Sequence, residues 1–119
     1  MTFSITMPID SRLHAHAKGH WRTKSKPTRQ ARQEACFLAL QTHAKPLSGR
    51  VVVDYHFSVP DRRRRDLANM VQSCKPIIDG VVDSGLIPGD HWESLGIGEV
   101  SVVVDKANGV TVELIFREV

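Results

Sequence analysis

Apolar and polar residues alternate along residues 2–7, Thr-Phe-Ser-Ile-Thr-Met, and this period of two predicts a half-buried strand that ends at Pro8. From Ile9 to Pro27 no periodicity remains, so a long loop is expected there. From Thr28, a plausible N-cap, helical spacing sets in: Ala31, Ala35, Leu38 and Ala39 share a face, flanked by Cys36 and Phe37, until Pro46 and Gly49 end the helix. Residues 51–59 form the clearest strand, with Val51, Val53, Tyr55, Phe57 and Val59 on one side and Val52, Asp54, His56 and Ser58 on the other. Beyond Pro60, Met70, Val71, Cys74, Ile77, Ile78, Val81 and Val82 follow helical spacing as far as Gly85, a natural C′ residue. Pro76 falls inside this run and predicts a kink or a restart, because it lacks an N–H and crowds the preceding turn. Residues 86–98, with Pro88, Gly89, Gly96 and Gly98, read as a loop. Two alternating strands, Val100–Val104 and Val110–Phe116, then face each other across Asn108-Gly109, a strong hairpin signal. The predicted order is β-α-β-α-β-β: one α+β domain over residues 1–119, a four-stranded mixed sheet with two helices packed on it.

A chain of 119 residues supports one modest core, and its 41% hydrophobic and 24% charged residues argue against disorder and coiled coil. No stretch approaches the ~20 apolar residues of a membrane span. The N-terminus lacks the basic-then-apolar layout of a secretory signal, so a cytoplasmic protein without membrane contact is expected. The two cysteines, Cys36 and Cys74, form no CxxC pair and are expected as buried free thiols.

Charge changes the picture most. Residues 1–65 carry a net +9 and residues 66–119 a net −6. A basic half suits a polyanionic partner, and an acidic half could hold a cation; two solvated faces would give the same count. Arg12, Lys18, Arg22, Lys24 and Lys26 make the 9–27 loop basic, and Arg62, Arg63, Arg64 and Arg65 crowd four guanidinium groups into one turn. A phosphate backbone would relieve that repulsion, whereas the plain alternative is a turn whose arginines pair with nearby acids. Past the arginines come Asp66, Asp79, Asp83 and Asp90, with Asp79 and Asp83 at i and i+4 on one helical face, and Asn69 and Gln72 roughly along the same side. Phosphodiester hydrolysis needs hard oxygen ligands for Mg²⁺ beside positive charge, and these stretches could supply both. Lys75, the only basic residue between Asp66 and Asp90, is a candidate to stabilise the transition state or leaving oxygen. His14, His16 and His20 have a metal-like spacing but no cysteine nearby and Asp10 as the only adjacent acid; Trp21 and Trp92 could stack on bases or anchor loops. No Gly-rich phosphate loop, nucleophile elbow or Cys/His pair is present, so neither a nucleotide cofactor nor covalent serine or cysteine chemistry is expected.

The run Pro60-Asp-Arg-Arg-Arg-Arg-Asp-Leu-Ala-Asn69 resembles the signature of the RusA family of Holliday-junction resolvases, a family found in bacteria, phages and prophages. Lys75, then Asp79, then Val-Val-Asp-Ser-Gly-Leu-Ile-Pro-Gly-Asp90 continue the likeness, and the strand at 3–8 and a closing hairpin at 99–117 fit its ends. The resemblance implies a small homodimeric endonuclease that uses Mg²⁺ to cut four-way junctions and similar branched DNA in recombination and repair. Asp66, Asp79 and Asp90 would be its catalytic and metal-binding carboxylates and Lys75 its catalytic lysine. Arg62–Arg65, Asn69 and the basic loop (Arg12, Lys18, Arg22, Lys24, Lys26) would contact DNA. Three departures stand out: Ala68 replaces the second aspartate of D-x-D-N, Lys75 lies six residues past Asn69, and the turn Gly89-Asp90-His91 holds one aspartate where the family often has two. Asp61, Asp79, Asp83 or His91 could substitute as ligands, and a site including His91 would suit Mn²⁺ better. Two other readings follow: a silent branched-DNA binder that has lost a ligand at Ala68, and a single-strand or RNA-binding module. The latter lacks an aromatic pair free to stack on bases, since Tyr55 and Phe57 are expected in the core.

Overall fold

The computed structural model describes residues 1–9 and 21–119, with side chains in the first helix described from residue 26 onward. The elements are β1 (Thr2–Pro8), α1 (Trp21–Gln41), β2 (Val51–Val59), α2 (Leu67–Gln72), α3 (Lys75–Asp83), β3 (Leu95–Val104) and β4 (Thr111–Glu118). The protein is an α+β fold around one four-stranded mixed sheet in the order β1-β4-β2-β3. β4 runs antiparallel to both β1 and β2, while β2 and β3 are parallel.

Alternation fixes which face is buried. In β1, β2 and β4 every second residue is buried, and Phe3, Ile5, Met7, Val51, Val53, Tyr55, Phe57, Val59, Val112, Leu114 and Phe116 form the sheet's contribution to the core. Phe3 lies opposite Phe116, their rings stacked with centroids 5.0 Å apart. Ala31, Ala35 and Ala39 of α1 and Ile77, Ile78 and Val81 of α3 cover this face. The small alanines let α1 approach α3 closely.

The second predicted helix does restart: α2 ends at Gln72, and Pro76 falls in the first turn of α3, where its missing N–H leaves no bond unmade. Gly85 (φ +80°) closes α3 as expected. Four boundaries differ from the sequence reading. α1 begins at Trp21, seven residues before Thr28, and carries a buried Pro27 within it. It stops at Gln41, ahead of Pro46, with His43 in the left-handed region at φ 54°. β3 starts at Leu95, because Gly96 and Gly98 are strand positions where side chains approach closely. A Cβ on Gly96 would lie 2.6 Å from Arg50, and one on Gly98 would lie 2.1 Å from Asp54 Oδ1. Finally, β3 and β4 are not a hairpin, since β2 sits between them. Neither Asn108 nor Gly109 takes the positive φ that a tight Asn-Gly turn requires.

Both cysteines are free. Cys74 is buried as expected, whereas Cys36 is only half-buried. Among the described residues no helix is long and apolar enough to cross a membrane.

Candidate functional site

Three charged residues meet where α3 and the 88–94 turn come together. Lys75 and Asp79 are one helical turn apart on α3, which brings the Lys75 ammonium to 2.5 Å from Asp79 Oδ1. The same ammonium donates to Asp90 Oδ2, so residues from two elements close on one positive charge. The turn bearing Asp90 is braced from within: the Ser94 and Leu95 N–H groups both donate to the His91 carbonyl at 2.9 Å, and Ser94 Oγ lies 2.8 Å from His91 Nε2.

The electrostatics follow from these contacts. The hydrogen bond from Lys75 holds the Asp90 carboxyl below its ordinary value. Bonds to Asp79 and then Asp90 raise the Lys75 ammonium above its own, so Lys75 is a fixed cation at neutral pH and not a proton acceptor.

A residue absent from the sequence reading extends the cluster. Arg32 of α1 grips Asp83 with two bonds, Nε to Oδ2 at 2.6 Å and Nη2 to Oδ1 at 2.9 Å, and its Nη1 lies 4.0 Å from Asp79 Oδ2. Charges therefore alternate along Asp90, Lys75, Asp79, Arg32 and Asp83. The signal was the alanine face of α1, whose closeness to Gly80 brings Arg32 within reach of α3; the period alone does not pair two helices. Beside this cluster, Tyr55, Gln72, Lys75, Ile78, Asp90 and Ile97 line a groove of about 460 Å³.

Asp66 has a different local job. It is the N-cap of α2, and its Oδ1 accepts from the Asn69 N–H at 3.1 Å. Ala68 is exposed in that first turn. Asn69, expected to contact DNA, is buried, so its side chain is not on the surface.

The arginine turn divides into two parts. Arg62, Arg63 and Arg64 are exposed, whereas Arg65 folds inward and donates from Nη1 to the carbonyls of Asp61 and Arg63, both at 3.1 Å, with Asp61 Oδ1 at 3.0 Å. Asp61 also accepts from the Arg63 N–H at 2.9 Å, which holds its carboxyl below the ordinary value. The plain alternative thus holds for Arg65, which organises the turn that presents the other three. Of the basic loop, Lys26 is exposed on α1. Arg12, Lys18, His14, His16 and His20, and the side chains of Trp21, Arg22 and Lys24, lie outside what the structure describes.

For a divalent cation the donor chemistry is suitable, since Asp66, Asp79 and Asp90 offer only hard carboxylate oxygens, and two of the three already converge on one positive charge. Among the described residues, however, no three His, Cys, Asp or Glu side chains stand together as a ligand set.

Comparison with known proteins adds little chemistry. No family model matches the chain. An uncharacterized protein of Xylella fastidiosa strain Temecula1 is 34% identical over 86 residues, which are 68% of this chain and 56% of that protein. The chain therefore spans little more than half the length of the curated relative it matches.

Proposed function

We propose that this protein is a Mg²⁺-dependent, structure-selective DNA endonuclease that cuts four-way junctions and similar branched DNA as a homodimer, in the cytoplasm, during recombination and repair. The observation that carries this reading is the meeting of Lys75, Asp79 and Asp90, drawn from two separate elements, at the positions that the resemblance to RusA resolvases singles out. Arg62, Arg63 and Arg64 supply the exposed guanidinium groups that bind the phosphate backbone, and Arg65 holds their turn in shape. Asp66, Asp79 and Asp90 would hold the metal, which when bound activates water and neutralises charge on the phosphate. Lys75, kept charged by its two carboxylates, is suited to stabilise the negative charge that develops on the phosphoryl or leaving oxygen.

A second reading is a branched-DNA binder without catalysis. The observation favouring it is that only Asp79 and Asp90 converge, with exposed Ala68 where the family carries a further carboxylate. One experiment separates the two: a labelled four-way junction, a linear duplex and a single strand are incubated with Mg²⁺, Mn²⁺ or EDTA, using wild type, Asp66→Asn and Ala68→Asp. The nuclease reading expects paired, metal-dependent nicks confined to the junction and lost in Asp66→Asn. Junction binding without nicks in wild type establishes the silent binder, and nicks gained by Ala68→Asp identify the missing carboxylate as the cause.

A further inference from the structure

The turn that carries Asp90 also carries Trp92, for which two roles are open from the sequence: stacking on a base or anchoring its loop. An indole that anchors a loop is buried, whereas Trp92 is 79% exposed. Among the described residues its ring meets no other ring and its N–H no acceptor. The turn is held by other groups. Arg50 Nη1 donates to the Trp92 carbonyl at 2.7 Å, and the Val51 N–H to the Ser94 carbonyl at 2.9 Å, which add to the bonds that close on the His91 carbonyl. Arg50 reaches the turn across Gly96, where a Cβ would stand 2.6 Å from its Nη2. The backbone beneath Trp92 is thus fixed while the indole, a large apolar ring, is left in water.

We propose that Trp92 stacks on an unpaired nucleobase next to the phosphate that Lys75 attracts, and that this contact distinguishes branched from continuous DNA. Its place in the chain supports that occupant. Trp92 lies two residues past Asp90, at most about 7 Å along the backbone, and Asp90 is bonded to the Lys75 ammonium. A phosphate drawn to Lys75 therefore brings the base of its own or the next nucleotide within reach of the indole. Two cations, Lys75 and Arg50, are bonded to this one turn. Positive charge beside a flat apolar ring matches a nucleotide, which joins an anionic phosphate to a flat aromatic base.

Stacking also supplies a physical reason for selectivity. Within a continuous duplex both faces of every base are covered by its neighbours, and an indole gains a face only by breaking a stack. At a branch the stack is already interrupted, so a base face is free at no such cost. Because the turn is braced from behind, little freedom of the backbone is lost when a base settles on the ring. The link to the cut phosphate rests on the proposed nuclease activity, whereas the stacking contact can be read without any cutting.

The test is tryptophan fluorescence of the full chain in EDTA, with an oligothymidylate, a four-way junction or a blunt linear duplex added. Trp21→Phe leaves Trp92 as the only tryptophan. Its emission is expected to be quenched by the oligothymidylate and the junction, and far less by the duplex. In the otherwise native chain, Trp92→Ala should bind the junction and the oligothymidylate about tenfold more weakly, the scale of one lost base stack. Its duplex affinity and circular dichroism should be unchanged, since the side chain is exposed. Trp92→Tyr should restore most of the binding and Trp92→Leu little of it, which separates stacking from plain apolar contact. DNA bound without quenching, or equal junction affinity in wild type and Trp92→Ala, would overturn the proposal and leave the nuclease reading intact. A loss of mass in solution on Trp92→Ala with DNA affinity unchanged would also overturn it, by assigning the indole to a contact between copies. Quenching and weakened binding in a protein that cuts no junction would refute the nuclease alone, and a protein that binds no DNA would refute both.

Discussion

Gly80 of α3 lies so close to Arg32 of α1 that a Cβ on Gly80 would stand 2.2 Å from the Arg32 carbonyl oxygen and 2.8 Å from Ala35 Cβ. The contact is backbone against backbone, and it is what lets the Arg32 side chain reach across to Asp83 and towards Asp79. Packing in the core and charge at the surface are set by the same helix spacing.

Gly80→Ala should therefore separate α1 from α3 and lower stability by about 1–3 kcal/mol, the usual cost of overpacking a tight site. Urea unfolding should show a lower midpoint at unchanged slope. A midpoint equal to that of wild type would show that the helices yield freely.

The Arg32–Asp83 pair should make a small, pH-dependent contribution. The hydrogen bond from Arg32 holds the Asp83 carboxyl below its ordinary 3.8. A carboxyl depressed in the folded state adds stability that is fully present above that ordinary value and is lost as pH falls through the folded one. The melting temperature of Asp83→Asn should lie slightly below that of wild type at about pH 6, with the gap narrowing as pH falls below 3.8 and through the folded-state value. A gap that stays constant across that range would remove the pair from the account.

At the candidate site, Lys75→Met removes the donor that depresses Asp90. The Asp90 carboxyl carbon, followed by NMR, should titrate below 3.8 in wild type and nearer to it in the variant. Identical midpoints would mean that the two side chains do not meet in solution.

The two thiols should differ in reactivity. Burial pushes the Cys74 thiol up to about 12, so it is protonated as well as shielded at pH 8, whereas Cys36 is half-buried. Iodoacetamide at that pH should modify Cys36 in the native protein and Cys74 only after denaturant is added. Rapid native labelling at Cys74 would show that the α2–α3 junction opens readily.

The parts of this fold that could be read from the sequence are those governed by local rules. Alternation identified the buried faces of β1, β2 and β4, and Pro76 and Gly85 marked where α3 begins and ends, because a missing N–H and a left-handed φ are single-residue properties. The place of β4 was hidden: Asn108-Gly109 suggests a neighbour in sequence, while the sheet's order is decided by which strands bury the core best, a non-local matter. Gly96 and Gly98 read as loop residues for a related reason, since the groups that need their space, Asp54 of β2 and Arg50 just before it, are distant in sequence. At the site, the resemblance drew attention to Lys75, Asp79 and Asp90, which do meet. It could not show that Asn69 is buried, that Arg65 is spent on its own turn, or that Arg32 joins from another helix.

The central position of β4 carries a consequence for how the protein is made. Among the described residues β1 pairs with β4 alone, and β2 needs β4 on its inner side. Synthesis proceeds from the N-terminus, so β1, β2 and β3 leave the ribosome before the strand that joins them. Until residues 111–118 emerge, β1 lacks the strand it pairs with among the described residues, and the inner edge of β2 is open to other chains. The nascent chain therefore passes through a stage of two separated halves of a sheet, and β4 turns them into one.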